Sequence, residues 1–159
     1  PGIWISDQKR IAHRLRFGGY ESVCKKYSLK PHFFDSSYST DAARHGYSMA
    51  KELFGETPDP SFTAIFASTD SNTPGLLEAA DECGIRIPED ISLLGFDNIP
   101  YSGPSKIVLS TIEQPYKLMA ESAVEILIDQ ISQPEAGYSH KVLMPKLVIR
   151  NSCRRIEGK

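Results

Sequence analysis

Gly84 and the run Ile85-Arg86-Ile87-Pro88-Glu89-Asp90-Ile91-Ser92-Leu93-Leu94-Gly95-Phe96-Asp97-Asn98 lead from a helix stop, through a buried strand, to a carboxylate. Gly84 suits the position just past a helix end, and Ile91 to Phe96 is a short apolar, β-rich segment of core-strand length. Upstream, Pro74 near a first turn frames a helix of about ten residues holding Leu76, Leu77, Ala80 and Cys83. Ala64 to Ala67 precedes it as a further compact strand. Further back, Thr40 to Phe54 reads as a helix burying Ala43, Tyr47, Ala50 and Leu53, with Gly55 as its stop. Pro31 to Phe34 and Gly2 to Ser6 read as strands. Between them, Ile11, Leu15, Ser22, Val23 and Tyr27 fall at mostly helical spacing behind an N-cap at Ser6 or Asp7.

Downstream, 97–106 is a loop by composition, Ile107 to Ile112 a strand, and Pro115 opens a long helix. Lys141 to Met144 and Lys146 to Arg150 read as two short strands around Pro145, at a sheet edge where proline is tolerated. Strands alternating with helices need crossover connections, so the expected fold is α/β: a doubly wound, mostly parallel sheet with helices on both faces.

Bulk composition narrows the function classes. With 159 residues, 40% hydrophobic and 24% charged, the chain has the make-up of one globular domain. Its apolar runs are far shorter than the roughly 20 residues that cross a bilayer. A net charge of -2 offers no general attraction to nucleic acid, so any DNA binding by the protein belongs to another segment. Cys24, Cys83 and Cys153 are odd in number and widely spaced, which fits a reducing, cytoplasmic setting better than a disulfide framework or a zinc site. The first strand starts at Gly2 with no Met before it, so the natural N-terminus is expected upstream of Pro1.

In open parallel sheets ligands sit beyond the carboxyl ends of the strands. The residues there are acidic: Asp7, Asp35, Asp70 and Asp97 follow the first four strands. They can ring a crevice with acceptors for ligand hydroxyls or amines, or each can simply cap the next helix or turn. Arg10 and Arg16, near the start of a basic first helix, can present a planar fork to a carboxylate or to sugar hydroxyls, or can belong to a solvated face. Enzyme motifs are wanting. No phosphate-cradling glycine loop, zincin pair or nucleophile elbow is present, and Ser22-Val23-Cys24-Lys25 meets S-x-x-K only formally. His13, His32, His45 and His140 have no ligand spacing, so neither a metal nor a cofactor is expected.

Ile85 to Asn98 resembles the stretch G-[LI]-x-[VI]-P-x-D-[IV]-S-[VL]-[VIL]-G-[FY]-D of the lactose-repressor and galactose-repressor (LacI/GalR) family of transcription regulators. Leu109-Ser110-Thr111-Ile112-Glu113-Gln114-Pro115 is similar to that family's L-T-T-[IV]-x-Q-P. Leu147 to Cys153 is similar to its closing strand, and Arg14 to Tyr20 to its R-x-x-G-[FYW] helix. The likeness is weakest between Ser28 and Pro60. It implies a periplasmic-binding-protein-like, two-lobed, cytoplasmic sensor whose lobes close on a small effector, not an enzyme, forming a homodimer or higher oligomer, touching no membrane, and reaching DNA through a headpiece outside this chain. On that reading residues 1–113 are the C-terminal lobe, incomplete at its start, 114–140 carry a helix of the N-terminal lobe, and 141–159 return to the C-terminal lobe.

By position, the resemblance implies effector ligands at Arg16, Thr69 with Asp70, Asp97, Gln114 and Tyr116, with Arg10 as a second cation and Tyr38 as an aromatic wall. Thr69-Asp70 stands where the family usually has Asn-Asp, and Trp4-Ile5-Ser6 replaces a glycine-rich turn, so sugar, sugar phosphate, nucleoside and purine all stay open. Two other readings of the same fold remain: a periplasmic sugar-binding protein, marked by a secretory leader in place of a helix-turn-helix, and an enzyme, marked by turnover that Asp97→Ala abolishes. The helix from Pro115 to Ser132 is apolar over much of its circumference and needs cover on more than one side. In a chain without most of the N-terminal lobe, exposed apolar surface and self-association are expected.

Overall fold

The alternation of β-rich runs and amphipathic helices becomes one six-stranded sheet. The computed structural model describes residues 2–6, 11–35, 41–55, 62–100 and 106–155. In chain order the elements are β1 (Gly2–Ser6), α1 (Ile11–Lys26), β2 (His32–Asp35), α2 (Ala42–Phe54), β3 (Ala64–Ala67), α3 (Thr73–Glu82), β4 (Ser92–Asp97), β5 (Ser110–Glu113), α4 (Tyr116–Ser132) and β6 (Lys146–Val148). Short 3-10 turns lie at Asp70–Asn72 and Pro134–Ala136.

The strand order is β2-β1-β3-β4-β5-β6. Neighbours from β2 through β5 pair in parallel, and β6 closes the edge antiparallel to β5. The chain leaves β1 outward to β2 and then returns past β1 to β3, so the connections diverge there and leave a crevice at the carboxyl ends of the strands.

The core lies between the sheet and the α2–α3 pair. Ile65 and Ala67 of β3 and Leu93 of β4 meet Met49, Ala50 and Phe54 of α2 and Leu76, Ala79 and Ala80 of α3. The two helices approach through glycine: a Cβ on Gly75 would lie 1.8 Å from the Ala43 carbonyl oxygen, and one on Gly46 1.9 Å from that of Asn72. The buried face of α2 keeps the expected Ala50, with Tyr47 and Leu53 packed against the core at its margin. Gly46, Met49, Ala50 and Phe54 are buried, while Ala43 is exposed and Tyr47 and Leu53 are only partly covered.

The other differences are at the C-terminal edge. Strand pairing in β5 begins at Ser110, because the Val108 amide is taken by the Asn151 side chain at 2.6 Å instead of a neighbouring strand. The strand expected at Lys141 to Met144 does not form; Val142 and Met144 project into solvent with nothing to pack against. Of the 17 residues of α4 only Ser122 is buried, and Leu118, Met119, Val124, Leu127, Ile128 and Ile131 are exposed. The expected apolar surface is therefore present.

Candidate functional site

Asp97 ends β4, and its carboxylate is where the crevice residues converge. Only 8% of the residue is exposed. Thr69, just past β3, donates its hydroxyl to Asp97 Oδ2 at 2.9 Å. Arg16, one turn into α1, places Nη2 3.3 Å from Asp97 Oδ1. Gln114, just past β5, donates its Nε2 amide to the same Oδ1. A buried charge is tolerable only with such partners, and here an opposite charge and two neutral donors supply them.

Arg16 is itself fixed from two more directions. Its Nη1 donates to the Ser68 carbonyl, and its guanidinium carbon lies 3.8 Å from the centroid of the Phe96 ring. A planar cation stacked on an aromatic face and forked between a carbonyl and a carboxylate has little rotational freedom. Tyr116, at the start of α4, completes the group: Gln114 Nε2 reaches its hydroxyl at 3.4 Å, and half of the residue faces solvent. Partial burial, and next the negative charge of Asp97, push the Tyr116 phenol above its ordinary range.

Asp70 behaves differently from its neighbours in this set. It is 5% exposed and makes its hydrogen bonds to β5 and to the segment after Asp97. Thr111 donates its hydroxyl to both carboxylate oxygens, at 2.9 and 3.0 Å, and the Ile99 amide donates to Oδ2 at 3.0 Å. Burial raises the Asp70 carboxyl above its usual range, against the opposing pull of Thr111 and the Ile99 amide. Gly95 admits it, since a Cβ there would stand 2.0 Å from Asp70 Oδ1.

The turn after Asp97 is conformationally unusual. Asp97 has φ 113° and Asn98 φ 57°, and a non-glycine residue in such a region costs about 1 to 3 kcal/mol unless its surroundings impose it. Thr111 Oγ1 accepts from the Asn98 amide at 3.3 Å. Arg150, following β6, donates Nη2 to Asn98 Oδ1 at 2.7 Å and Nη1 to the Leu109 carbonyl at 2.6 Å. Asn98 Nδ2 in turn donates to Glu113 Oε1 at 3.2 Å.

The structure thus brings together Arg16, Thr69, Asp97, Gln114 and Tyr116, and gives Asp70 other partners. Arg10, Tyr38 and Asp7 lie outside the described residues, and Asp35 closes β2. Sequence reasoning missed Phe96, Asn98, Thr111 and Arg150; each acts through a partner distant in sequence. Among the described residues no group of three or more His, Cys, Asp or Glu could hold a metal ion, and no helix is long and apolar enough to cross a membrane. The groove of about 790 Å³ along α3, lined by residues such as Pro74, Leu77, Asp81 and Ile107, shares no residue with this cluster.

Polar side chains converging beyond the strand ends of a doubly wound sheet stand where such sheets hold ligands, and the comparisons point to the same class of fold. Residues 3–153 match the model of the periplasmic binding protein-like domain, and the chain belongs to that family. It is part of an effector-binding domain of the LacI type, as the resemblance implied. The ribose operon repressor of Haemophilus influenzae is 31% identical over 154 residues, which cover 95% of this chain and 45% of that protein. The repressor PurR of the same species is 30% identical over 161 residues, covering 98% of this chain and 46% of the relative. Among solved structures, a LacI family regulator from Enterococcus faecium with bound ribose aligns at TM-score 0.84 and 26% identity, over 98% of this chain and 57% of that one. The Lac repressor dimer bound to operator and an anti-inducer aligns at 0.76 and 25%, over 96% and 51%. The chain spans about half the length of the relatives it matches. Those relatives are transcriptional repressors, not enzymes.

Proposed function

We propose that this chain binds a small polyhydroxylated effector of the sugar class beside Asp97, and that occupancy of the site governs a DNA-binding segment elsewhere in a cytoplasmic, homodimeric regulator. The observation that carries this reading is the buried Asp97 carboxylate, held among Arg16, Thr69 and Gln114 at the open end of the sheet. Sugar hydroxyls both donate and accept. Asp97 offers them acceptors, the Arg16 fork offers donors, and the Tyr116 ring gives a partly apolar flank for a sugar face. Ribose is the first ligand to try, since it occupies the Enterococcus faecium relative. Support for a dimer and for operator binding comes from the solved Lac repressor complex.

On this reading the chain supplies most of one lobe, and α4 belongs to the opposite lobe. The near-complete exposure of α4 supports this, as does the position of Gln114 between β5 and α4, where the chain would cross. A ligand bound to both Asp97 and the crossover makes different contacts in open and closed arrangements, which is what coupling to a distant site requires.

The test is calorimetric titration of the full-length protein with D-ribose, with D-glucose and hypoxanthine as comparators. Saturable binding of ribose that Asp97→Ala removes is expected. Binding of hypoxanthine alone would overturn the sugar reading while leaving an effector domain, and ribose turnover would overturn the regulator reading.

A further inference from the structure

The Asp97–Asn98 turn sits at positive φ for both residues, with hydrogen bonds to it from two sides. We infer that Thr111, Asp70 and Arg150 are positioning residues for the effector site: they act through the Asp97–Asn98 turn, and they impose the backbone conformation that aims the Asp97 carboxylate into the crevice. This inference rests on the sugar-binding reading for its functional meaning and on the hydrogen bonds around the turn for its substance.

On one side is Thr111, fully buried on β5. Its hydroxyl donates its proton toward the Asp70 carboxylate and accepts the Asn98 amide at 3.3 Å, so one oxygen ties β5 to the turn and to Asp70. Asp70 then takes the Ile99 amide at 3.0 Å, which fixes the residue after the turn. Backbone amides of a turn cannot pair in the β4–β5 ladder, and burying them unpaired is costly; here a side-chain hydroxyl and a carboxylate replace the missing strand partners.

On the other side, Arg150 brings the last strand to bear on the same turn. Its two terminal nitrogens bridge the Leu109 carbonyl and Asn98 Oδ1, while Asn98 Nδ2 reaches Glu113, the residue before Gln114. Asn98 is thereby clamped between β5 and the segment after β6. Only a flat, forked donor makes both bonds at once, so lysine is not an equivalent.

Gly95 is the structural permission for this device. A side chain there would occupy the place of the Asp70 carboxylate, at 2.0 Å from Oδ1. Thus Asp70 is tied to Thr111 across 41 positions of sequence and Arg150 to Asn98 across 52, and the Asp97–Asn98 turn gains these supports only after folding.

The test uses the full-length protein carrying Thr111→Val, Thr111→Ser, or Arg150→Lys. Val keeps the shape of Thr and deletes the hydroxyl; Ser restores it. Ribose affinity is expected to fall at least tenfold in Thr111→Val and Arg150→Lys, and to return to within about threefold of the parent in Thr111→Ser. A merely structural role would lower the melting temperature without this affinity split and rescue. A second readout needs no ligand: amide exchange at Asn98 and Ile99 is expected to quicken at least tenfold in Thr111→Val while Leu93 and Leu94 stay protected. Unchanged exchange at Asn98 and Ile99 overturns the inference, as does Thr111→Val binding ribose like the parent. If the parent binds no ribose, the sugar reading fails alone, and the exchange result still decides the positioning roles. If Thr111→Val does not fold, Arg150→Lys decides by the same two readouts.

Discussion

Gln114 donates its side-chain amide to Asp97 Oδ1, the same oxygen that Arg16 meets at 3.3 Å, while Thr69 takes Oδ2 at 2.9 Å. Both oxygens are engaged by protein donors before a ligand hydroxyl arrives. A hydroxyl that docks on Oδ1 shares that oxygen with Gln114 or displaces it. Gln114 stands where the chain leaves β5 for α4, which in the proposed two-lobed protein is the crossover on which such displacement acts. Asp97→Ala is expected to weaken ribose binding by about 3 kcal/mol, roughly a hundredfold, since charge-assisted bonds are lost and Arg16 is left without its carboxylate. Gln114→Ala, which removes a neutral donor, is expected to lose no more than about tenfold. It should also blunt the ligand-induced change in radius of gyration seen by small-angle scattering. Equal losses in the two variants by calorimetry would count against this ordering.

The α2–α3 crossing sets a second expectation. A Cβ on Gly75 would lie 1.8 Å from the Ala43 carbonyl oxygen and 2.7 Å from the Tyr47 amide nitrogen, and both are backbone atoms that cannot rotate aside. Gly75→Ala should therefore destabilise the fold by about 3 kcal/mol or more, the scale of severe overpacking. Gly18, inside α1, has nothing within 4 Å of its would-be Cβ. Gly18→Ala should stabilise by about 0.5 to 1 kcal/mol through helix propensity alone. Urea unfolding of both variants gives the comparison, and the opposite signs are its content.

Those glycines also mark how far sequence reading reaches. The alternation of strands and helices, the stop at Gly84, and the strand-end position of Asp97 are local signals, and they were legible because each depends on residues within one turn or strand. The burial of Gly46 in α2 was not, because it is decided by the close approach of Asn72. Arg16, Thr69 and Gln114 became candidates by resemblance, and the structure brings all three to one carboxylate. Asp70 looked equivalent to Asp97, since both follow a strand. Its diversion depends on Thr111, 41 residues away, and on the space left by Gly95. Arg150 reaches Asn98 across 52 residues, a pairing with no periodic signature.

Acid stability has an assignable contributor just ahead of β4. Arg86 holds Asp90 through its backbone amide and Nε, both 2.8 Å from Oδ2, and through Nη2 on Oδ1. Hydrogen bonds from the Arg86 side chain and backbone lower the Asp90 carboxyl from its ordinary value to about 2. A carboxyl lowered by folding stabilises the native state above its unfolded value, and that contribution disappears as pH falls from near 4 toward 2. The pair is solvent-exposed, so the effect is small. In Asp90→Asn, thermal unfolding should lose part of the decline in melting temperature between pH 4 and 2. An identical pH profile in parent and variant would exclude this contribution.

The uncovered helix gives the last expectation. Leu118, Met119, Val124, Leu127, Ile128 and Ile131 of α4 are each more than two-fifths exposed, and Ile131 reaches 70%. Burying one such side chain is worth about 1.5 to 3 kcal/mol, so a surface of several seeks a partner. In the proposed two-lobed protein that partner is the remainder of the opposite lobe; a chain of residues 1–159 has only other copies of itself. Sedimentation velocity of that chain should show concentration-dependent association, and Leu127→Lys with Ile131→Lys should suppress it. The same two substitutions in the full-length protein should instead destabilise the folded state, because there the helix is covered. A strictly monomeric 159-residue chain at high concentration would remove the case for α4 as an unpartnered face.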